Sequence, residues 1–480
     1  MYRRLTSKIN LRKNWKAFSL ISTSSIGVYS YYSYCNYKYN DRKLIFNDFP
    51  IVDNKRFTDM NAVIQLLKQR LPDGAITTSI DIINSSINSQ WSYLVDKPPT
   101  AIVYPSSTQE VVEIVKVAKE YKIPLICRSA GTSLEGQCSS ERGGILIDFE
   151  ENMNKIIDVH ADDLDVVVQP GLKWMHLNEY LEENGHNLFF PLDPSPDAAV
   201  GGILNNGSSG TNSVLWGTAR GEWFINATVV MADGSVMKTR QRSKKSSAGI
   251  DLLKLFVGSE GTLGIITELT LRLAPKLPTS VAIAPFNSVE DAGKVVTRVV
   301  QNGIRVNCAE LLDDVAMKAN NESGIVSKRY QEKPHVFFKF AGQPVQMEDD
   351  ARRTAEIVNE FNSTLHFAKS DSEAKELWDG RKWALTSAAS MLENARVWTT
   401  DVCVPISKLP QIIKFIKQDT SSNGVVTSIV SHAADGNVHA LMLFRNEEEK
   451  YKVEECVDRM INYAIDLEGT CTGMYRYSNV

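Results

Sequence analysis

The chain has 480 residues and a formal net charge of −4, with 43% hydrophobic and 23% charged residues. This length allows two or three domains, and the composition is typical of an ordinary soluble globular protein. The weak negative charge gives no reason to expect nucleic acid as a partner. The seven cysteines are scattered and never in CxxC spacing, which argues against both a disulfide framework and a zinc ribbon.

The first forty residues carry seven basic residues, and no acidic residue precedes Asp41. A basic, acid-free amino terminus is typical of a mitochondrial presequence, so we expect the chain at the inner membrane or in the intermembrane space. Residues 17–37 are uncharged, and as a helix they are just long enough to cross a bilayer core of ~30 Å. A cleaved sorting signal and an inner-membrane anchor both remain open. Residues 1–40 are therefore set apart from the fold.

Residues 41–96 have a mostly helical pattern and are predicted to cover the domain that follows. The segment AIVYP at 101–105 predicts a strand, and Ser107 with Glu110 forms a capping box for the next helix. IPLICRS then resumes as a strand that ends at a glycine-rich loop. Strand, helix, strand and glycine loop in this order are how α/β folds present their backbone to a ligand.

The rest of the first domain continues with short strands. Strands are predicted at 145–149 and 166–170, and a helix from Trp174 to Asn184. The alternating segment 226–239 turns at Asp233-Gly234, which predicts a hairpin.

Pro275 and Pro278 mark a domain boundary, after which the pattern restarts. A strand at Val281, a helix, a strand to Glu310, the strand HVFFKF and a further helix follow. This order predicts an α+β domain made of two halves of similar build.

Three runs rich in small residues stand out in the first domain: RSAGTSLEGQ at 128–137, PLDPSPDAAVGGILNNGSSGTNSVLWGTARG at 191–221 and GSEGTLGIIT at 258–267. Glycine lets a backbone approach a flat or anionic ligand closely. The middle run has no Lys or Arg before Arg220, so a phosphate there would be held by backbone N–H groups. GxGxxG and GxxxxGK[ST] motifs are absent, which argues against a Rossmann NAD enzyme and a P-loop ATPase. A dinucleotide held through its pyrophosphate is predicted, although the middle run alone could be a long surface loop.

A pair of histidines marks the second domain, in HAADGNVH at 432–439. If Asp435-Gly436 forms a two-residue hairpin turn, His432 and His439 stand directly opposite each other on one face. They could then share a metal ion, or they could form a purely structural pair.

Arg381 lies within a helical apolar pattern, LWDGRKWAL at 377–385. Its guanidinium could cap a surface helix, or it could offer two donors to a carboxylate. The segment DVCVP at 401–405 predicts a buried strand near this site, with Cys403 in the core.

The three runs resemble the flavin-binding domain of the FAD-linked oxidase family, the vanillyl-alcohol-oxidase or PCMH type. The resemblance covers residues 97–473 and is greatest to the fungal, D-lactate-oxidising members. It implies an α+β fold, with a PCMH-type FAD-binding domain at 97–275 and a ferredoxin-like substrate or cap domain at 276–480.

By this resemblance, the first run wraps the pyrophosphate of FAD, and the other two runs line the rest of the cofactor. No His lies in the first or third run, so a non-covalent FAD is expected. The residues expected to bind FAD are Arg128, Ser129, Ala130, Gly131, Thr132, Ser133, Leu134, Gly136, Pro191, Gly201, Gly202, Asn206, Gly207, Gly210, Glu260, Gly264 and Ile266.

The resemblance also implies a reaction: D-lactate or a similar D-2-hydroxy acid is oxidised to the 2-oxo acid, and cytochrome c accepts the electrons. Arg381 would bind the substrate carboxylate, and His432 and His439 would bind a divalent metal, often zinc, together with a later glutamate. No CxxCH haem motif is present, so the acceptor is a separate protein. D-2-hydroxyglutarate and glycolate dehydrogenases of the same family remain alternatives.

The carboxyl end departs from the family pattern. Family members continue past GTCTG with Glu-His-Gly-Val-Gly, whereas Met474 and Tyr475 stand where the Glu and the His belong. The Glu completes the metal site and the His takes the hydroxyl proton, so a truncated, catalytically impaired flavoprotein is one alternative. A zinc hydrolase centred on the two histidines is another, although no HExxH motif or evident third ligand supports it.

Overall fold

A computed structural model describes residues 60–87, 97–134, 136–138 and 143–472. All of them fall within one compact unit, residues 59–480. The predicted presequence or anchor lies outside the described residues, as do Met474 and Tyr475. We divide the described residues at about position 276 into a small-sheet region and a large-sheet region.

The small-sheet region consists of short elements. Its helices are α1 (Met60–Arg70), α2 (Ile80–Ile87), α3 (Thr108–Tyr121), α4 (Trp174–Glu183), α5 (Val200–Asn205), α6 (Ser213–Trp216) and α7 (Leu253–Phe256). Its strands are β1 (Ile76–Thr77), β2 (Ala101–Val103), β3 (Leu125–Arg128), β4 (Ile145–Asp148), β5 (Ile156–His160), β6 (Asp165–Val168), β7 (Leu188–Phe189), β8 (Phe224–Val230), β9 (Val236–Lys238), β10 (Ile265–Arg272) and β11 (Ala274–Pro275).

The first sheet has the strand order β1-β2-β4-β3, with β2 and β3 parallel to β4. The crossover helix α3 begins as predicted: the Ser107 hydroxyl accepts from the Glu110 N–H at 3.3 Å. The returning bond of the capping box is shifted by one residue, because the Glu110 carboxylate accepts from the Ser106 N–H at 2.9 Å. The apolar face of α3 then packs on this sheet through buried valines and isoleucines. The first glycine-rich run therefore begins at the carboxyl end of β3.

The second sheet has the antiparallel order β5-β6-β10-β8-β9. The hairpin predicted at Asp233-Gly234 joins β8 to β9, where Val230 pairs with Val236. The short strands β7 and β11 pair beside this sheet. Helices α4 and α5 pack on it in one apolar cluster, so the middle run folds directly over this sheet.

The large-sheet region forms one continuous antiparallel sheet. Its strands are β12 (Thr279–Pro285), β13 (Cys308–Leu312), β14 (His335–Ala341), β15 (His366–Phe367), β16 (Arg396–Thr399), β17 (Val402–Cys403), β18 (Thr427–His432), β19 (Asn437–Phe444) and β20 (Thr470–Cys471). Its helices are α8 (Val289–Gln301), α9 (Asp314–Ser323), α10 (Pro344–Glu360), α11 (Asp371–Lys382), α12 (Ala384–Ala389), α13 (Leu409–Ser422) and α14 (Glu447–Asp466).

Two halves of the same topology build this sheet, as the sequence predicts. The strand order is β15-β12-β14-β13-β18-β19-β17-β20, with β16 paired to β19. In chain order the first half is β12-α8-β13-β14-α10-β15, with α9 inserted between β13 and β14, and the second is β17-α13-β18-β19-α14-β20. Each half is a ferredoxin-like unit, and the halves join through their second strands, β13 and β18. We call this junction the seam.

The two faces of the large sheet are covered differently. Helices α8, α10, α13 and α14 cover one face with a large apolar core. On the other face, α9, α11 and α12 cover an apolar part that contains the fully buried Phe337. Near the seam this second face becomes polar, because Cys308, Glu310 and His432 share it through the pairs Cys308–Lys339 and Glu310–His432. This polar strip is where the candidate site lies.

Candidate active site

The three glycine-rich runs meet in the structure. The Gly258 N–H donates to the Leu204 carbonyl at 3.0 Å, and the Glu260 N–H donates to the Asn205 carbonyl at 2.8 Å. The third run therefore lies on the end of α5 in the middle run. A Cβ placed at Gly261 would lie 3.8 Å from the Cβ of Cys127, which directly precedes the first run. The first and third runs, more than a hundred residues apart in sequence, are thus brought together with the middle run.

The first run begins with an arginine that is already paired. Arg128 Nη1 donates to Asp148 at 2.6 Å and to Glu150 at 3.3 Å. Its guanidinium folds back against Gly131, where a Cβ would lie 2.8 Å from Arg128 Nε. Arg128 therefore holds the shape of the start of this loop.

Asp193, near the start of the middle run, ties this start to residues 211 and 212 later in the run. This carboxylate accepts from the Thr211 hydroxyl at 2.6 Å and from the Asn212 N–H at 2.9 Å. A side chain at Gly210 would overlap Asp193, so this position requires glycine. Pro191 is buried at the start of the run.

The other predicted FAD residues divide into two groups. The first group lies near the meeting point of the runs: Gly202 is within α5, and Asn206 and Gly207 directly follow that helix. Glu260, in the third run, belongs to the same group and adopts a left-handed conformation with φ 53°. The second group packs into the protein. Gly201 packs against Pro170, Gly264 packs against Val229, and Ile266 is buried in the core of the second sheet. In this second group only the backbone remains for contact with a cofactor.

Unsatisfied polar atoms lie where the runs meet. Among the described residues, Asn205 Oδ1, Ser259 Oγ and Arg128 Nε are buried and lack a hydrogen-bond partner. Buried polar atoms nearly always have partners, so a group of them at one surface fits the binding of a polar ligand there. The residues present therefore fit a dinucleotide cofactor.

A second cluster lies on the polar strip of the large sheet and is centred on Glu310. This carboxylate is 0% exposed. It accepts from Arg381 Nε at 2.7 Å and from His432 Nδ1 at 2.9 Å. Arg381 thus does not cap a surface helix, because its side chain turns inward across α11 to the seam.

Helix α11 is held in place on both sides of Arg381. Asn320, on α9, donates to the Gly380 carbonyl at 2.7 Å. A Cβ at Gly380 would lie 2.6 Å from the Tyr330 hydroxyl oxygen, so the absence of a side chain lets Tyr330 pack against the helix. The same hydroxyl donates to the Leu377 carbonyl at 3.3 Å. The position of Arg381 is therefore fixed by its neighbours in the helix and by Glu310.

The two histidines lie on one face, as predicted, but the predicted strand register is wrong. His432 pairs with Asn437 and Val430 pairs with His439, so the histidines are diagonal neighbours. Their ring centroids are 5.4 Å apart, with planes at 88°. The turn is longer than two residues, because residues 433–435 form a 3-10 turn and Gly436 follows with φ 76°.

The hydrogen bonds of the two rings determine which ring nitrogen carries the proton. His439 Nδ1 lies 3.0 Å from the Thr400 carbonyl oxygen, which can only accept, so this nitrogen donates. His432 Nδ1 likewise donates to the Glu310 carboxylate. In the neutral form of each ring, Nε2 is therefore the nitrogen with the free lone pair.

Burial and charge act in opposite directions on these groups. Burial raises the pKa of Glu310, but the nearby His432 and Arg381 outweigh it and hold that pKa below its usual value. Burial lowers the pKa of His432, but the charge of Glu310 outweighs it and raises that pKa above its usual value. For His439, burial dominates and lowers the pKa. The cluster is therefore an ionised carboxylate beside a charged guanidinium, with a neutral His439 next to it.

The middle run reaches across to this cluster. Trp216 Nε1 donates to Asn307 Oδ1 at 3.0 Å, and Asn307 Nδ2 donates to Asn212 Oδ1 at 2.7 Å. The Ser213 hydroxyl donates to Asp435 in the histidine turn. The part of the middle run from Asn212 to Trp216 therefore contacts Asn307 and the histidine turn, which flank the polar strip.

Sequence reasoning missed Glu310 as a site residue. The available signal was a lone carboxylate within an apolar strand, CAELL, since charged residues are almost never fully buried unless paired. It also misplaced Cys403, which is half-buried and lies near the Asp435 carbonyl at 3.3 Å instead of within the core.

Two expectations find no support within the described ranges. No group of three His, Cys, Asp or Glu side chains there is arranged to hold a metal ion. The described helices also include none that is both long and apolar enough to cross a membrane.

Comparison with known proteins matches both regions to family models. Residues 99–240 match an FAD binding domain, and residues 278–474 match the C-terminal domain of FAD linked oxidases. A solved structure, alkyldihydroxyacetonephosphate synthase, superimposes with a TM-score of 0.70 over 87% of this chain and 81% of that one, at 17% identity. This likeness establishes the PCMH-type fold and a FAD-binding region.

Curated relatives extend the match. The mitochondrial D-lactate dehydrogenase [cytochrome] of Kluyveromyces lactis is 43% identical over 78% of this chain, and the chain covers 66% of its length. A probable mitochondrial D-lactate dehydrogenase of Danio rerio is 38% identical, with 78% of this chain and 76% of the relative covered. A glycolate oxidase subunit of Bacillus subtilis is 29% identical, with 78% and 80% covered. The chain belongs to the FAD-linked oxidase family, whose members join an FAD-binding domain to this C-terminal domain.

Proposed function

We propose that this chain oxidises a D-2-hydroxy acid, in the first place D-lactate, to the 2-oxo acid, and that the electrons pass from FAD to cytochrome c. The observation that carries the proposal is the cluster at the seam. There, Arg381 and two histidines converge beside the glycine-rich runs. A 2-hydroxy acid has a carboxylate and a hydroxyl on adjacent carbons, so a guanidinium beside basic nitrogens matches both of its polar groups.

Arg381 binds the substrate carboxylate in this proposal. Its Nε is bonded to Glu310, and its two terminal nitrogens, which have no hydrogen-bond partner among the described residues, offer a parallel pair of donors. Such bidentate pairing fixes the orientation of a carboxylate as well as its position. The hydroxyl-bearing carbon is thereby directed towards the histidines.

FAD supplies the hydride acceptor when bound, and the chain's own part is orientation and charge stabilisation. The residues proposed to hold it are those of the three runs, from Arg128 to Gly136, from Pro191 to Gly210 and from Glu260 to Ile266. The unsatisfied polar atoms at their meeting point support this assignment.

His432 and His439 would hold a divalent metal such as zinc through their Nε2 atoms. The donor set fits in part, because each ring is oriented by a hydrogen bond at Nδ1, as is usual for metal-binding histidines. A bound metal would lower the pKa of the substrate hydroxyl. The third ligand and the proton acceptor would have to come from outside the described residues.

The names of the relatives support a proposal for the acceptor and the location. Two of them are named as mitochondrial D-lactate dehydrogenases, one of them cytochrome-linked. We therefore propose a mitochondrial location for this chain, with association to the inner membrane through residues 1–40, and cytochrome c as the electron acceptor.

Anaerobic mixing of the FAD-loaded protein with 2-hydroxy acids tests this function. D-lactate is expected to bleach the flavin absorbance and to yield pyruvate, whereas L-lactate leaves the flavin oxidised. Glycolate and D-2-hydroxyglutarate, in parallel, test the closest alternatives, and glycolate has support from the Bacillus relative. A flavin that stays oxidised with every one of these acids would refute the proposal.

A further inference from the structure

One buried carboxylate joins two functional side chains that come from different parts of the fold. Glu310 lies on the second strand of the first half, His432 on the second strand of the second half, and Arg381 on the helix between the halves. Glu310 is 0% exposed and has both partners within 3.0 Å. A charge at this depth is costly to bury unless it is paired, so the three side chains form one unit.

The bond to Arg381 determines which of its donors are available. A guanidinium has five N–H groups in a planar fork. Glu310 takes Nε–H, and the two terminal nitrogens have no hydrogen-bond partner within the described ranges. The carboxylate therefore selects the end-on edge of the guanidinium for an incoming anion.

The bond to His432 likewise determines which nitrogen of the imidazole is available to a ligand. An ionised carboxylate only accepts hydrogen bonds, so Nδ1 must carry a proton. The neutral ring then has its lone pair on Nε2. The Glu310 oxygens thus fix the orientation and the tautomer of His432 while they hold Arg381.

We propose that Glu310 is a positioning residue that holds the terminal nitrogens of Arg381 and Nε2 of His432 in one fixed arrangement for a 2-hydroxy acid. This inference rests on the proposed function, since the substrate is the molecule that spans the two groups. Glu310 does not touch the substrate itself. Its role is to set the distance and direction between the group that binds the carboxylate and the group that binds the hydroxyl.

A buried carboxylate with a purely structural role should affect the stability of the fold but not the positions of Arg381 and His432. Asp313 provides the comparison, because it is also 0% exposed and lies three residues further along the chain. It accepts from Lys417 Nζ and from the Ala316 N–H, both at 2.8 Å, and it caps α9. Loss of its charge is expected to weaken the fold without altering Arg381 or His432.

The experiment compares the FAD-loaded variants E310Q, E310D and D313N with the unchanged protein. Gln removes the negative charge and replaces one carboxylate oxygen with an NH2 group that can only donate, so the acceptor shared by Arg381 and His432 is weakened. We expect E310Q to bind Co²⁺, used as the metal probe, ten- to a hundredfold more weakly. We also expect its KM for D-lactate to rise about tenfold or more. E310D keeps the charge on a shorter side chain, so it should recover part of the Co²⁺ affinity and part of the KM. D313N should change the Co²⁺ affinity and the KM by less than twofold.

A spectroscopic measurement keeps the test independent of catalysis and of variant folding. In protein with ¹⁵N-labelled histidine, the His432 signals, assigned by their loss in H432Q, are expected to show a proton on Nδ1. An unprotonated Nδ1 in the unchanged protein would overturn the proposal. So would an E310Q variant that folds, holds FAD and keeps both the Co²⁺ affinity and KM of the parent.

The two hypotheses fail in distinguishable ways. If D-lactate leaves the flavin of the unchanged protein oxidised, the proposed function fails, while the Nδ1 measurement and the Co²⁺ comparison still decide the role of Glu310. If D-lactate bleaches the unchanged protein and E310Q equally well, only the role of Glu310 fails.

Discussion

The two halves of the large sheet share one strand order but differ in the connection between their second and third strands. In the first half, 22 residues join β13 to β14 and include α9. In the second half, four residues join β18 to β19. The short turn brings His432 and His439 together on one face, and the long connection supplies Asn320, which holds the helix of Arg381. One topology therefore supplies the proposed metal-binding pair from one half and a support for the helix of Arg381 from the other.

The largest expected effect concerns the arginine that lies between the halves. Arg381→Met removes the proposed carboxylate anchor and leaves Glu310 with one partner fewer. We expect kcat/KM for D-lactate to fall by about 1,000-fold, corresponding to roughly 4 kcal/mol, as for other truncated buried charge pairs. Steady-state kinetics measure this loss. Lys382→Met removes the exposed neighbouring cation, and its kcat/KM should stay within about twofold of the parent. An equal loss of kcat/KM in both variants would show that the charge of the helix end matters rather than Arg381.

The turn of the second half should tolerate less change than the connection of the first. A Cβ at Gly436 would overlap the Val404 carbonyl oxygen, and its φ is 76°. Gly324, which ends α9, also has a positive φ of 68°, but nothing lies within 4 Å of a Cβ there. We expect Gly436→Ala to cost roughly 3 kcal/mol of unfolding free energy, because strain and overlap both act there.

Gly324→Ala is the matched variant for this prediction and should cost about 1 kcal/mol, because only the backbone strain remains. Urea denaturation of the two variants measures the difference. Equal losses would contradict the view that the short turn is packed more tightly than the long connection.

The histidine at the start of β14 in the first half should respond to acid. Burial lowers the pKa of His335 to about 4. In the unfolded chain His335 binds a proton near pH 6.5, whereas in the folded protein it binds one only near pH 4. The folded state therefore loses stability as the pH falls from 6.5 to about 4 and regains it as the pH rises. The shift corresponds to about 3 kcal/mol.

Urea midpoints measured between pH 7 and pH 4 check this dependence. His335→Gln should remove most of the acid-dependent loss, whereas His176→Gln, at an exposed position on α4, should leave the loss as it is in the parent. The prediction fails if His335→Gln and the parent lose the same stability over this range.

The smallest expected effect concerns the contact from the middle run to the turn of the second half. Ser213→Ala removes the hydroxyl that donates to Asp435. We expect a loss of about 1.5 to 3 kcal/mol in unfolding free energy, typical for a hydrogen bond to a charged group. Thermal or urea unfolding measures it, and Ser422→Ala, which removes an exposed hydroxyl at the end of α13, should change stability by less than ~0.5 kcal/mol.

Local patterns predicted much of this architecture. The capping serine at Ser107, the hairpin at Asp233-Gly234 and the helix that carries Arg381 depend on neighbouring residues, and each is present. The meeting of the three runs could also be predicted, because one large ligand needs all of them. The two-half build of the large-sheet region followed from its repeated order of strands and helices.

Features set by distant residues were missed. The Asp435-Gly436 pair indicates a two-residue turn, but the backbone at Val404 packs against Gly436, and the turn takes four residues. Glu310 could have faced solvent from an edge strand. Only its pairing with His432 in the folded sheet shows that it lies in the interior.

The seam has a consequence for the order of folding events. Glu310 and His432 are 122 positions apart in the chain, yet they face each other across β13 and β18. Contacts between such distant residues form only after a large loss of chain entropy, so they tend to form slowly. During refolding, helical circular dichroism should therefore return before turnover of D-lactate, and a chain that stops after the first half would contain a ferredoxin-like unit without the proposed active site.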